Sequence, residues 1–147
     1  MTQAVGTRMT SLAAAATLAV AAALAIAESG EAGSTGTCAG GVPTLVGNDE
    51  GETLSGTEGR DVIVGGGGND VIVALGGNDL ICGGPGNDTL LGQADHDRVF
   101  GDAGNDSLQG NTGQDALIGG KGRDICRPGP GKSRGERGCE KVTNKGF

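Results

Sequence analysis

Aromatic side chains are almost absent from this chain. It has no tryptophan and no tyrosine, and phenylalanine occurs only at Phe100 and Phe147. Aromatics supply much of the buried area of ordinary cores, so a conventional globular interior is excluded. Histidine occurs once, at His96, and no Cys–His or Ser–His pairing is apparent. A free-standing enzyme built on nucleophile–base chemistry is therefore not expected. Positive charge is scarce as well, with 11 Lys and Arg against 18 Asp and Glu and a formal net charge of −7. That balance argues against nucleic acid and anionic membrane as partners and favours cations. Only one long hydrophobic run exists, Leu12 to Ile26, shorter than the roughly 20 residues needed to span a bilayer. Arg8 precedes it and Ala25-Ile26-Ala27 closes it, the layout of a secretory signal peptide cleaved after Ala27. There is no twin-arginine pair, which points to the general secretory route. The expectation is a secreted chain of one domain starting at Glu28, with no membrane insertion after cleavage.

Glycine is in excess, at 32 of 147 residues. Such a content would suggest disorder if it were aperiodic. Here it is periodic. From Gly47 to Arg127 a nine-residue unit runs through nine copies without an insertion, with an acidic residue at the sixth place of each. Among the copies are GTEGRDVIV (Gly56 to Val64), GGGGNDVIV (Gly65 to Val73), ALGGNDLIC (Ala74 to Cys82), GGPGNDTLL (Gly83 to Leu91), GDAGNDSLQ (Gly101 to Gln109) and GGKGRDICR (Gly119 to Arg127). Fixed-period self-similarity of this kind signals a solenoid. Positions one to six read as a turn, because glycine supplies positive φ. Positions seven to nine read as a three-residue strand. Side chains alternate along a strand, so position eight forms one face: Leu54, Ile63, Ile72, Ile81, Leu90, Val99, Leu108, Leu117 and Cys126. That column is the expected core. Two units make one coil, unit n stacks on unit n+2 at about 4.8 Å, and the result is an all-β parallel β-roll.

Stacking sends the sixth-position carboxylates into two ladders. The first edge carries Asp61, Asp79, Asp97 and Asp115; the second carries Glu52, Asp70, Asp88, Asp106 and Asp124. Neighbours about 5 Å apart repel by roughly 3 kcal/mol at an effective dielectric near 20, and a cation between them reverses the sign. Ca²⁺ accepts six or more oxygens in loose geometry, whereas Mg²⁺ demands a tighter octahedron.

The unit G-G-x-G-x-D-x-U-x, with U a large aliphatic residue, is similar to that of the RTX, or haemolysin-type calcium-binding, repeat family. The resemblance covers about 80 residues and implies a right-handed roll with several Ca²⁺ ions. It also implies that each ion lies between turns n and n+2, bound by both Asp side chains and by turn carbonyls. The turns of the second edge keep the family pattern through Gly65, Gly66 and Gly68, Gly83, Gly84 and Gly86, Gly101 and Gly104, and Gly119, Gly120 and Gly122. Asp70/Asp88, Asp88/Asp106 and Asp106/Asp124 are accordingly the better candidate sites. On the first edge Ala74-Leu75 replaces the leading Gly pair and Asp95 replaces a position-four Gly, so Asp61/Asp79, Asp79/Asp97 and Asp97/Asp115 are weaker. The chain departs from the family in one respect. Typical RTX proteins leave through a type I exporter on a carboxy-terminal signal, whereas this leader is amino-terminal.

Four cysteines in an exported chain suggest two disulfides with three possible connectivities, of which Cys38–Cys82 and Cys126–Cys139 are favoured. Residues 28–46 are expected to form a leader and amino-terminal cap, with Leu45 at the core phase, 47–127 the roll, and the basic stretch 128–147 the other cap. Gly131-Lys132-Ser133 lacks the upstream glycine and the context of a phosphate loop. His96 fills a variable turn position and reads as solvated rather than as a transition-metal ligand. No EF-hand fits, because Val99 and Phe100 occupy the fifth and sixth loop places. The sequons at Asn87 and Asn105 lie inside the turns and are discounted. Outward positions on the first-edge sheet (Val62, Val64, Leu80, Cys82, Phe100, Ala116 and Ile118, interrupted by Arg98) are more apolar than a free surface should be. Either the segment from Glu28 to Cys38 lies over them or they recognise a protein or cell-surface partner. The chain thus reads as a calcium-binding structural or surface-associated protein, with a calcium-dependent binding module as the alternative.

Overall fold

The computed structural model describes residues 38–130 and 137–141. The expected signal peptide, the stretch 28–37 and parts of the expected carboxy-terminal cap lie outside the described residues. The described residues form a β-solenoid of about five turns, entered through a short 3₁₀ turn at Cys38–Gly40. Among the described residues no helix is long and apolar enough to cross a membrane.

Odd and even units build separate sheets. β1 (Leu45–Val46), β3 (Val62–Val64), β5 (Leu80–Pro85), β7 (Arg98–Ala103) and β9 (Ala116–Lys121) stack in that order as a five-stranded sheet. β2 (Thr53–Ser55), β4 (Val71–Val73), β6 (Thr89–Ala94), β8 (Ser107–Thr112), β10 (Asp124–Arg127) and β11 (Cys139–Lys141) form a six-stranded one. Every pairing is parallel, and Ile63 faces Ile81 as Ile72 faces Leu90, one coil on. The register follows from the pattern. A slip of one residue would turn the aliphatic column outward.

The expected core column is the core. Ile63, Ile72, Ile81, Leu90, Val99, Leu108 and Leu117 are fully buried, Cys126 nearly so, and Leu45, Leu54 and Cys139 pack against the ends of the seam. Burial of each such aliphatic side chain contributes about 1.5–3 kcal/mol. One core residue per nine is a thin interior, so the roll depends on backbone pairing, cross-links and its turns. Both disulfides have the favoured pairing. Cys38–Cys82 fastens the amino-terminal turn to the outside of the five-stranded sheet, and Cys126–Cys139 fastens β11 beside β10.

The strands differ from the expected three residues. From β5 to β9 each runs for six, because stacked coils in one register also align positions one to three, as in Gly84↔Asp102 and Pro85↔Ala103. The corner then shrinks to positions four to six. Position four needs a residue tolerant of positive φ. At Gly86 φ is 146°, and a Cβ there would overlap the Gly68 carbonyl oxygen of the preceding coil. Gly86→Ala is therefore expected to cost about 3 kcal/mol in strain and displaced backbone, a fall in melting temperature of about 10 °C. A calcium-loaded melt of the variant superimposing on that of the parent would contradict this account of the corner.

The outer face of the five-stranded sheet is also partly resolved. Val62, Val64, Leu80 and Cys82 are buried in a second cluster with Cys38, and Phe100 packs at its margin. Arg98 lies over the Phe100 ring, 5.6 Å from its centroid.

Candidate metal centre

Each turn delivers its sixth residue to the inside of a corner, where the chain leaves position five and enters the next strand. All eight aspartates of the two ladders are buried, none more than 7% exposed. Buried carboxylates are unusual unless paired, and here pairing accounts for half of each group. The backbone N–H of each acidic residue donates to the Oδ1 of the aspartate one coil on. On the first edge Asp61 donates to Asp79 (2.8 Å), Asp79 to Asp97 (3.0 Å) and Asp97 to Asp115 (3.1 Å). On the second, Glu52, Asp70 and Asp88 donate to Asp70, Asp88 and Asp106, each at 2.8 Å, and Asp106 to Asp124 at 2.9 Å.

The other oxygen has no such partner. Oδ2 of Asp70, Asp88, Asp106 and Asp124 on one edge, and of Asp79, Asp97 and Asp115 on the other, is buried without a hydrogen bond. A buried acceptor left without a donor costs about 1–3 kcal/mol, more when it is charged. Position one shapes the space beside it. At Gly65 a Cβ would come within 2.6 Å of Asp70 Oδ2 and 2.5 Å of the Gly83 carbonyl oxygen. Gly83, Gly101 and Gly119 crowd the Oδ2 of their own units in the same way. A side chain at position one would therefore fill the place where carboxylate and carbonyl oxygens converge. Gly66, Gly84 and Gly120 at position two, and Gly68, Gly86, Gly104 and Gly122 at position four, all have positive φ.

Asp61 differs from the rest. Its Oδ2 accepts from the Thr57 amide and hydroxyl at 2.7 and 2.9 Å, and its Oδ1 accepts from the Thr44 hydroxyl at 2.9 Å. Glu52 is likewise occupied by the Asn48 amide and side chain. Both of these amino-terminal carboxylates are thus already engaged by protein donors. The two edges also differ in backbone. Leu75, Gln93, Asp95 and Asn111 hold positive φ on the first edge, against Asp102 alone on the second. Non-glycine residues in that region carry strain of order 1 kcal/mol each, which gives the weaker pattern of the first edge a physical meaning.

Burial dominates the acidity of the ladders. It pushes Asp88 and Asp106 up to about 6, with neighbouring carboxylates adding to the rise and the backbone hydrogen bond opposing it. Asp97 is pushed up to about 7 by the same causes, Asp79, Asp115 and Asp95 being its charged neighbours. Asp70, Asp79 and Asp115 are raised by burial as well. A cation would remove both the desolvation penalty and the mutual repulsion.

The donor set selects the kind of cation. Among the described residues no three His, Cys, Asp or Glu side chains converge as a metal cluster. Two carboxylates per pair of turns leave the remaining places to carbonyl oxygens and water, a hard, all-oxygen environment. That suits calcium and not zinc. His96 does not contribute, because its Nδ1 accepts the Gln114 amide at 2.9 Å.

This contact belongs to a feature that the sequence reading missed. Position five forms a ladder of its own: the amides of Asn87, Asn105 and Arg123 donate to the Oδ1 of Asn69, Asn87 and Asn105. On the other edge the His96 amide donates to Asn78 Oδ1. His96 is exposed, as expected, but structurally engaged. The recurrence of Asn immediately before Asp was the available signal.

The family model for the RTX calcium-binding nonapeptide repeat matches in four overlapping copies, at residues 46–81, 55–90, 76–108 and 91–126. No curated protein and no solved structure matches the chain.

Proposed function

We propose, from the premise that this chain belongs to the RTX calcium-binding nonapeptide repeat family, that it is a secreted calcium-binding β-roll with a structural or surface-associated role and no catalytic activity of its own. RTX repeats bind Ca²⁺, several ions per repeat region. The observation that carries the assignment of sites is the pair of files of buried, unpartnered Oδ2 atoms. Asp70, Asp88, Asp106 and Asp124 would hold ions on the second edge, between successive turns. Asp79, Asp97 and Asp115 would do so on the first. Bound calcium would supply positive charge and coordination places for those oxygens. The chain's own contribution is the stack of glycine-cleared corners that brings carbonyl and carboxylate oxygens together. Asp61 is the weakest of the eight candidates, its oxygens being already engaged. Secretion is supported by the two disulfides, which persist in oxidising compartments, and by the amino-terminal leader.

Calorimetric calcium titration tests the assignment. Asp88→Asn touches two proposed sites and should remove more bound calcium than any terminal substitution, with an affinity loss of about tenfold or more at the sites it touches. Asp61→Asn should leave the stoichiometry unchanged. Equal effects of the two substitutions would overturn it.

A second reading, recognition of a partner through the outer face of the five-stranded sheet, rests on Phe100, Ala116 and Ile118, which remain half-buried. Its area is reduced by the cluster around Cys38. The surface-associated role is thereby favoured.

A further inference from the structure

The two ends of the solenoid carry opposite charge. From Cys38 to Gly59 the sequence holds no Lys or Arg, while Asp49, Glu50, Glu52 and Glu58 are acidic. From Gly119 to Phe147 it holds 8 of the 11 Lys and Arg residues of the whole chain (Lys121, Arg123, Arg127, Lys132, Arg134, Arg137, Lys141, Lys145). The gradient is exposed in the structure. Asp49, Glu50 and Glu58 face solvent at the first coils, and Lys121, Arg123, Arg127 and Arg137 face solvent at the last. Only Arg123 has an ion-pair partner among the described residues, Glu140 at 3.1 Å.

β1 and β2 are the outermost strands of their sheets, each bonded on one side only among the described residues. Beside them Val42 and Val46 are 84% and 57% exposed. Unpaired parallel edges with apolar residues next to them invite another strand. At the far end the sheets finish on β9 and β11, with Arg137 bridged to Ile118 of β9. Among the described residues each end thus offers a parallel strand bonded on one side, β1 and β2 at the first and β11 at the last, and the two ends are opposite in charge.

We propose that folded rolls associate end to end, the acidic amino-terminal coil of one copy docking on the basic carboxy-terminal coil of another. The partner is a second copy of this chain, selected by charge complementarity. Such a contact is heterologous, so it propagates into linear assemblies instead of closing into a dimer. The inference rests on the calcium-folded roll proposed above. It gives the structural role a form, a filament whose subunits join once calcium has folded them.

The test uses the chain from Glu28 onward, since all of the described structure lies downstream and the apolar leader would aggregate by itself. Sedimentation velocity and circular dichroism are recorded together in calcium, with disulfides intact. The expected result is a weight-average mass rising severalfold with concentration and falling back as salt is raised from about 0.05 M to about 0.5 M, because screening weakens contacts between exposed charges. The double variant D49K/E50K, reversed at one end, and K121E/R127E, reversed at the other, should each stay monomeric. An equimolar mixture of the two should associate again, since each then meets an end of opposite sign. A β-signal with a monomer at every concentration would overturn end-to-end association and leave calcium-dependent folding standing. So would association that both double variants retain, and loss of it in Phe100→Ser would then assign it to the outer sheet face. Absence of a β-signal in calcium would overturn both readings together.

Discussion

Chelating calcium at pH 7.5 is expected to unfold this protein. Its aliphatic seam contributes one residue per coil side, and its corners hold seven buried carboxylate oxygens without donors. Without a cation those groups combine desolvation with mutual repulsion. A site with Kd about 0.1 mM in 1 mM calcium adds about 1.4 kcal/mol to the folded state, and five such sites about 7 kcal/mol, comparable with the 5–15 kcal/mol that stabilises a whole domain. Far-ultraviolet circular dichroism should therefore report β-structure in millimolar calcium and its loss in chelator, with full recovery on adding calcium back. The disulfides shorten the unfolded chain's reach by closing segments of 44 and 13 residues, which assists refolding without substituting for the ions. An unchanged spectrum in chelator would mean that hydrogen bonds alone hold the corners.

In the absence of calcium, acid is expected to do part of the ion's work. Burial raises Asp88 and Asp106 to about 6 and Asp97 to about 7, from an ordinary value of 3.8. A carboxyl whose pKa is higher in the folded state takes up a proton on folding. Its stabilising contribution is complete below the unfolded value and disappears as pH rises through 6 to 7. Each proton taken up makes stability fall by about 1.4 kcal/mol per pH unit across that window. The metal-free chain should thus gain β-signal and melting temperature on going from pH 7.5 to pH 5. Calcium reverses the trend. Protons compete with the ion for the same oxygens, so calcium affinity should weaken below about pH 7. Thermal melts with and without calcium across this range decide the matter. A metal-free stability that is flat or rises with pH would refute the burial of these groups as described.

How the site came to be legible explains what was missed. Asp70, Asp88, Asp106 and Asp124 could be placed on one edge from sequence because a strict period of nine, doubled, assigns every residue to an edge. The column from Ile63 to Leu117 was equally plain, since strand alternation converts every ninth aliphatic residue into a core. Asp61 holds the same sixth place in its unit and reads in the sequence as no different from the other first-edge aspartates. It is set apart by contacts with Thr57 and Thr44, and the Thr44 contact comes from the preceding coil. The ladder through Asn69, Asn87 and Asn105 was hidden because a lone Asn in a turn reads as solvated. Only stacking shows that each Oδ1 receives the next coil's amide.

The sequence by itself determined the architecture and the all-oxygen cation chemistry, because these follow from periodicity and residue type; it left three disulfide connectivities possible, and the structure holds the favoured one. Tertiary structure decided which carboxylate oxygens lack a donor, how far the ladders run into the corners, and which apolar residues outside the seam are covered. Those outcomes depend on contacts between residues a full coil apart. A repeat pattern fixes which residues become neighbours, but the backbone path between them fixes which atoms meet.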